Sequence, residues 1–297
     1  MTEVIWTQWD DLKVPAGFKK LSPSNCPLDS SDLSEITFYV PKYMSGREGL
    51  EYSKKMISLK TLQMPNAGFE DALPYVRVGM TLCNARGVHD ASTAELAVGL
   101  AIAARRGFAD FAMAQIDGKW AHKRYQSLSD SNIAIIGGGS IGQTLRKYLS
   151  VFDVQITNFS RSGGNGSKKI QDFDRDIATF DIIFLTLPLN EDSRYFINKS
   201  RISAMKNGAT LVNVARGAIV ETDALISALN QGKISAGLDV TDPEPLPIDH
   251  PLWSAKNCVI TPHVGGDSTA FDSRCKGLVE EQLQRLARGE RLINIVN

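Results

Sequence analysis

The sequence predicts an α/β chain built as two parallel-sheet domains, the second inserted into the first. Short apolar runs alternate with helical stretches along most of the chain. That alternation produces parallel strands joined by right-handed crossovers. A glycine run, Gly137-Gly138-Gly139-Ser140-Ile141-Gly142, falls near the middle rather than the start. At 297 residues the chain also suits two domains of ordinary size.

The elements follow in order. Val4 to Thr7 reads as a first strand, and Ile36 to Val40, ending at Pro41, as a second. Leu59 to Met64 and Val78 to Cys83 are further strands. Ser92 to Arg105 is rich in Ala, Leu, Val and Ile, so it reads as a long buried helix, capped by Ser92 or Thr93. That helix is more apolar than one surface helix needs, which suggests the domain hinge, a dimer interface, or both. Ile133 to Ile136 is a continuous apolar strand of the buried parallel kind. The glycine run then turns into a helix reaching about Ser150. Val154 to Phe159, Asp181 to Leu187, Leu211 to Val214, Gly237 to Val240 and Val259 to Thr261 complete the strands. Helices are expected over Thr222 to Asn230 and Ser273 to Arg288. Ser162 to Ser167 is Gly- and Ser-rich and reads as a flexible loop. The expected domains are therefore 1–93 with 265–297, and 94–264. Two crossings between domains make a hinged cleft, a common seat for ligands.

Composition removes several classes of function. Lys plus Arg equals Asp plus Glu, at 33 each, so no global field draws the chain to nucleic acid or membrane. Cys26, Cys83, Cys258 and Cys275 are scattered without a CxxC pair and read as reduced cytosolic thiols, not metal ligands. No signal peptide and no bilayer-length apolar run is seen, so the expected location is cytoplasmic.

The glycine run has the GxGxxG spacing and sits between a strand and a helix, as a dinucleotide fingerprint requires. Its first Gly allows a tight turn, its second lets backbone approach a pyrophosphate, and its third lets helix and strand come close. Gly137, Gly139, Ser140, Ile141 and Gly142 are thus candidate cofactor-binding residues, with the helix N-terminus facing the pyrophosphate. NAD sites usually carry an acid at the end of the next strand. Here that position reads Ser160-Arg161-Ser162, which would donate to a 2′-phosphate instead of repelling it. NADP is the expected cofactor, with NAD as the alternative; the competing reading makes Arg161 a solvated loop residue.

Three later runs each offer one polar group: Arg216 in Asn213-Val214-Ala215-Arg216-Gly217, Glu244 in Asp239-Val240-Thr241-Asp242-Pro243-Glu244-Pro245, and His263 in Thr261-Pro262-His263-Val264-Gly265-Gly266. Arg216 and His263 follow strand ends, where ligands of parallel sheets bind. A cation that grips an anionic substrate, an imidazole that supplies a proton and a carboxylate that tunes it suit hydride transfer to a carbonyl beside a carboxylate. Each residue alone could be structural: a capping arginine, a surface acid, a satisfied histidine.

Together these runs resemble the D-isomer-specific 2-hydroxyacid dehydrogenase family over nearly the whole chain, least in the first fifty residues. Leu62 to Glu70 resembles the family's substrate loop, Asn84 to Glu95 its interdomain segment, and Thr186-Leu187-Pro188-Leu189 its cofactor-lining strand end. The resemblance implies two Rossmann/flavodoxin-like domains and a homodimer joined through the cofactor domains. It implies Arg216, Glu244 and His263 as catalytic residues, and Asn66, Ala67 and Gly68 with Arg216 as substrate-binding ones. Leu187, Pro188, Ala215, Asp239 and Gly265 would complete the cofactor site, with Asp239 on the nicotinamide side. The sequence departs from the family at Ser160-Arg161, where an acid is usual, and at Phe69-Glu70, where an Asp follows the loop glycine. The implied activity is reduction of a 2-keto acid such as glyoxylate or hydroxypyruvate. A formate- or phosphite-type dehydrogenase on the same scaffold, and a dinucleotide-sensing interaction protein, are the alternatives.

Overall fold

The computed structural model describes residues 2–164 and 166–297. They form two compact units, one running to His89 and resuming as Thr269–Asn297, the other Asp90–Ser268. The crossings fall at 89/90 and 268/269 rather than at the expected 93/94 and 264/265. In chain order the first unit opens with β1 (Val4–Trp6), β2 (Lys19–Leu21), β3 (Phe38–Tyr39), α1 (Gly46–Glu51), β4 (Thr61–Gln63) and β5 (Thr81–Cys83). The second contains α2 (Asp90–Arg105), α3 (Phe108–Ile116), β6 (Asn132–Ile136), α4 (Ser140–Leu149), β7 (Gln155–Ser160), β8 (Ser167–Lys169) and α5 (Phe173–Asp176). It continues with β9 (Ile182–Leu185), α6 (Lys199–Ala204), β10 (Ala209–Asn213), α7 (Thr222–Asn230), β11 (Ile234–Leu238) and β12 (Cys258–Ile260). Helix α8 (Phe271–Ala287) returns to the first unit.

Each unit is built on one parallel sheet, as the alternation of elements predicts. The first has strand order β2-β1-β3-β4-β5, the second β12-β11-β10-β9-β6-β7-β8. The inner strands β1, β3, β4, β9 and β10 are buried on both faces, because helices cover both sides of a parallel sheet. In the first unit Trp6, Tyr39, Leu62 and Leu82 form one core layer. On the other face Ile5, Phe38 and Val40 meet Phe271, Cys275, Val279 and Leu283 from α8. The buried Gln282 of α8 donates to Gln63 Oε1 at 2.9 Å and to the Ile293 carbonyl at 2.8 Å, fixing the strand that leads into the predicted substrate loop.

In the second unit Ile133, Ile135, Ile182, Phe184 and Val212 pack with Ala94, Ala97, Leu100 and Leu145 of α2 and α4. Ile136, Phe159, Ile183, Leu185 and Leu211 form the core of the opposite face. Helix α2 lies close on β11, because a Cβ at Gly237 would come within 2.8 Å of Leu100 Cβ. Ala94, Ala97, Leu100 and Ala101 of α2 are buried on this sheet, while Leu96, Val98 and Ile102 are only partly buried. The helix also begins earlier than expected: Asp90 opens it, so Ser92 and Thr93 lie inside the helix and neither caps it.

Several elements escaped sequence reading. Strands β2 and β8 sit at sheet edges and are short and lysine-bearing, a common way to keep an edge from pairing further. Ser167, read as loop, opens β8, while position 165 of that loop lies outside the described residues. Helix α1 was also unforeseen. So was α3, which buries none of its residues although it reads Phe108-Ala109-Asp110-Phe111-Ala112-Met113-Ala114-Gln115-Ile116. The four cysteines are free thiols, and burial pushes Cys83 up to about 11 and Cys258 and Cys275 up to about 12. Among the described residues no helix is long and apolar enough to cross a membrane, and no cluster of His, Cys, Asp and Glu could hold a metal ion.

Candidate active site

Because every strand of the second sheet is parallel, the loops after β6, β9, β10, β11 and β12 all leave from the same edge. Ligands of doubly wound sheets bind outside that carboxyl edge, where the strand order reverses. Here β6 is flanked by β9 on one side and β7 on the other, so the reversal lies at the glycine turn.

Gly137 adopts φ +133°, and a Cβ there would sit 2.8 Å from the Thr186 backbone. Only glycine fits that turn. A Cβ at Gly142 would come within 2.3 Å of the Gly137 carbonyl oxygen, so α4 starts close against its strand. Gly139 differs: a Cβ there would meet nothing within 4 Å. It is exposed at the N-cap of α4, with no side chain capping the helix. Open space over uncapped N–H groups is what a pyrophosphate requires, so the turn fits a dinucleotide. Ser140 Oγ instead donates to Asp90 Oδ1 at 3.0 Å, and Ile141 is partly exposed. Leu187 is buried in the core, whereas Pro188 is exposed. At the next strand end Ser160 Cβ would lie 2.9 Å from a Cβ at Gly138, so Ser160 abuts the turn. Arg161 and Ser162 are exposed, and Ser162 Oγ donates to the Gly163 carbonyl at 3.2 Å.

After β10, Asn213 braces its own loop. Its Oδ1 accepts from Ala215 N at 3.1 Å and its Nδ2 donates to the Arg216 carbonyl at 2.9 Å. Ala215 is buried. Arg216 donates from Nη1 to the Ala215 carbonyl at 2.7 Å and makes no salt bridge among the described residues. Gly217 is pressed onto the neighbouring loop, since a Cβ there would lie 1.9 Å from the Thr241 carbonyl oxygen. The loops carrying Arg216 and Glu244 are thus held in register by backbone contact.

Asp239 governs the third loop. It is 2% exposed, and its carboxylate accepts three hydrogen bonds. Thr261 Oγ1 and Val264 N donate to Oδ1 at 2.6 and 2.9 Å, and Gly265 N donates to Oδ2 at 2.8 Å. The Asp239 carbonyl also accepts from His263 N at 2.8 Å. His263 itself takes φ +55°, unusual for a residue with a side chain. Sequence reading set Asp239 beside a nicotinamide; the structure shows both its oxygens engaged with the loop that presents His263. No local pattern signals this, because the donors lie more than twenty residues away.

So presented, His263 Nδ1 meets Glu244 Oε1 at 2.5 Å. The hydrogen bond from Glu244 raises the His263 pKa above the ordinary imidazole value; burial and the Arg216 charge oppose it, and the Glu244 and Asp239 charges add to it. For Glu244, burial pulls the carboxyl upward, but the His263 hydrogen bond and charge outweigh it and hold the group low. The two shifts agree in direction: each partner favours the charged form of the other. Arg216, Glu244 and His263 belong to one unit, while Asn66, Ala67 and Gly68 belong to the other. In that other unit the Asn66 carbonyl accepts from Ala85 N at 2.8 Å and the Ala67 carbonyl from Asn84 Nδ2 at 2.7 Å. Asn66 Oδ1 is buried without a hydrogen-bond partner. Glu70, the displaced acid, accepts from Phe69 N at 3.0 Å.

Comparison with known proteins bears on this geometry. The NAD-binding domain of the D-isomer-specific 2-hydroxyacid dehydrogenases matches residues 98–265. A D-3-phosphoglycerate dehydrogenase of Methanocaldococcus jannaschii is 31% identical over 262 residues, 84% of this chain but 49% of that protein, so the chain spans about half its length. A hydroxypyruvate reductase of Thermotoga maritima is 35% identical over 218 residues, 70% of this chain and 71% of that one. Among solved structures, a D-isomer-specific 2-hydroxyacid dehydrogenase family protein from Aeromonas salmonicida superposes with a TM-score of 0.87 at 25% identity, covering 100% of this chain and 99% of that one.

The Asp239 clamp yields a prediction. Asp239→Asn leaves one loop N–H or the Thr261 hydroxyl facing an amide donor. Losing a hydrogen bond to a buried charged acceptor costs about 1.5–3 kcal/mol. Denaturant unfolding should show a loss of that size, with kcat falling as the His263 loop loosens. Unchanged stability and kcat would refute the clamp.

Proposed function

This chain belongs to the D-isomer-specific 2-hydroxyacid dehydrogenases, and we propose that it reduces a 2-keto acid of the glyoxylate or hydroxypyruvate class to the D-2-hydroxy acid, with NADPH as the preferred reductant. The observation that carries the chemistry is the 2.5 Å contact between His263 Nδ1 and Glu244 Oε1 beside a guanidinium that forms no salt bridge among the described residues. The hydroxypyruvate reductase among the relatives supports the substrate class.

The roles follow from the groups. The Arg216 guanidinium takes the substrate carboxylate in a two-donor fork and withdraws density from the adjacent carbonyl. With Nδ1 bonded to Glu244, His263 offers Nε2 to the carbonyl oxygen. The raised pKa favours the protonated ring, so His263 serves as the acid in reduction and, once neutral, as the base in oxidation. A bound nicotinamide dinucleotide supplies the hydride. The open space over Gly139 and the uncapped start of α4 would hold its pyrophosphate. Ser160 and Arg161 stand where NAD sites place an acid, which favours the phosphorylated cofactor.

We also propose a two-fold homodimer joined through the cofactor-binding unit, with α3 at its centre. Phe108, Met113 and Ile116 are 54%, 61% and 76% exposed, and Trp120 beyond the helix is 97% exposed. Large apolar side chains left exposed this close together in the chain favour an interaction site.

Three tests follow. First, His263→Ala should lower kcat about 10²- to 10⁴-fold while cofactor binding survives. Because only imidazolium can act as the acid, reduction should fade as pH rises through the raised His263 pKa. Glu244→Gln removes its support, so that alkaline limb should move to lower pH. A limb that stays in place would separate Glu244 from the acid. Second, kcat/KM should favour NADPH over NADH by about tenfold or more, since one charge-assisted hydrogen bond is worth about 1.5–3 kcal/mol. Arg161→Ala should erode that ratio chiefly through KM for NADPH. A wild type that prefers NADH would overturn the cofactor reading. Third, light scattering at micromolar concentration should report a dimer, and Met113→Glu with Ile116→Glu should give a monomer; a monomeric wild type would sink the assembly.

A further inference from the structure

Sequence reading stopped at Ser160, Arg161 and Ser162, but the sheet brings a lysine alongside them. On neighbouring parallel strands, residues in register point to the same face. Ile135 of β6 pairs with Asn158 of β7, and Ile133 and Ile135 pack in the core layer with α2 and α4. Asn158 and Ser160 therefore face the α4 side, as the approach of Ser160 to Gly138 independently requires. One strand further out, Ser160 pairs with Lys169 of β8. Lys169 thus emerges on the face that carries the glycine turn.

Its neighbour provides an internal control. Lys168 pairs with Phe159, which belongs to the opposite core layer, and its ammonium reaches Asp176 Oδ2 at 2.7 Å. Lys169 makes no ion pair among the described residues and is exposed. Its stem lies against the turn after β7, because a Cβ at Gly163 would come within 3.0 Å of Lys169 Cγ. That turn also carries Arg161 and Ser162. Ser160, the backbone that carries Arg161 and the stem of Lys169 thus lie together at this end of the sheet.

We infer that Lys169 is a second cation for the 2′-phosphate of NADPH and a specificity-determining residue for that cofactor. The inference rests on the NADPH reading above and extends it. A phosphomonoester carries about −1.5 to −2 charges near neutral pH. Arg161 alone leaves part of that charge unmatched, and Lys169 supplies the remainder. An ammonium acts as a point charge and not as a two-donor fork. Its share therefore depends on ionic strength more than on geometry, and it does nothing for a ribose that bears only a hydroxyl.

The test is direct binding without turnover: fluorescence titration of the purified protein with NADPH and with NADH, at low and at raised salt. Lys169→Ala should weaken NADPH about three- to tenfold, with the loss shrinking as salt rises. NADH affinity should stay unchanged, which also shows that the variant is folded. Lys168→Ala, on the other face, should leave the NADPH-to-NADH ratio alone. If Lys169→Ala keeps the full wild-type preference, or weakens both cofactors equally, the assignment of Lys169 is overturned while the NADPH reading stands. If the wild type binds both equally, the NADPH reading itself fails and Lys169 falls with it.

Discussion

A buried carboxylate at the end of β11 holds the His263 loop in place, and the geometry of the proposed proton donor depends on it. Asp239 receives Thr261 Oγ1, Val264 N and Gly265 N, while its carbonyl receives His263 N. These four contacts surround His263 and fix the backbone on either side of it. A non-glycine residue in the left-handed region costs about 1–2 kcal/mol. His263 occupies that region at φ +55° and is kept there by neighbours that are already tied down. The consequence is direction: the imidazole turns its Nδ1 to Glu244 and leaves Nε2 for another partner. Gly217 serves the same end on the Arg216 side, because its backbone lies against Thr241 in a contact that any side chain would block.

Electrostatics then sets the protonation state. The Arg216 charge lowers the proton affinity of His263, and burial does the same. The Glu244 hydrogen bond is the largest single influence on His263, and the net shift of His263 is upward and that of Glu244 downward. In the proposed mechanism, Arg216 and His263 act on one substrate without competing for the same carboxylate. This arrangement requires Glu244 to belong to His263, as the 2.5 Å contact shows.

At the cofactor end, the glycines divide their work by environment. Gly137 and Gly142 are confined by Thr186 and by each other's turn, whereas Gly139 faces open space. The fingerprint therefore contains two structural positions and one left clear for a ligand. Discrimination between the two cofactors is proposed to lie outside it, where a β-strand end and an edge strand bring polar groups to one face of the sheet.

The sequence by itself determined the two parallel sheets and the glycine turn, and it singled out Arg216, Glu244 and His263 as candidates. Those features are local: apolar runs of strand length, glycines where a turn needs them, and polar residues just past strand ends. The short edge strands β2 and β8 were not legible, because lysine-bearing segments of three residues carry no periodic signal. The exposed apolar face of α3 was hidden for a related reason, since composition cannot tell an apolar helix that is covered from one that is not. Likewise the close approach of α2 to β11, where Gly237 makes room, leaves no local signal. Only the tertiary structure decided that Asp239 clamps the His263 loop, that Gly217 locks two loops together and that Lys169 shares a face with Ser160. Each of these relations joins residues that are distant in the chain or that depend on strand register, and register is set by which side chains the finished core will bury.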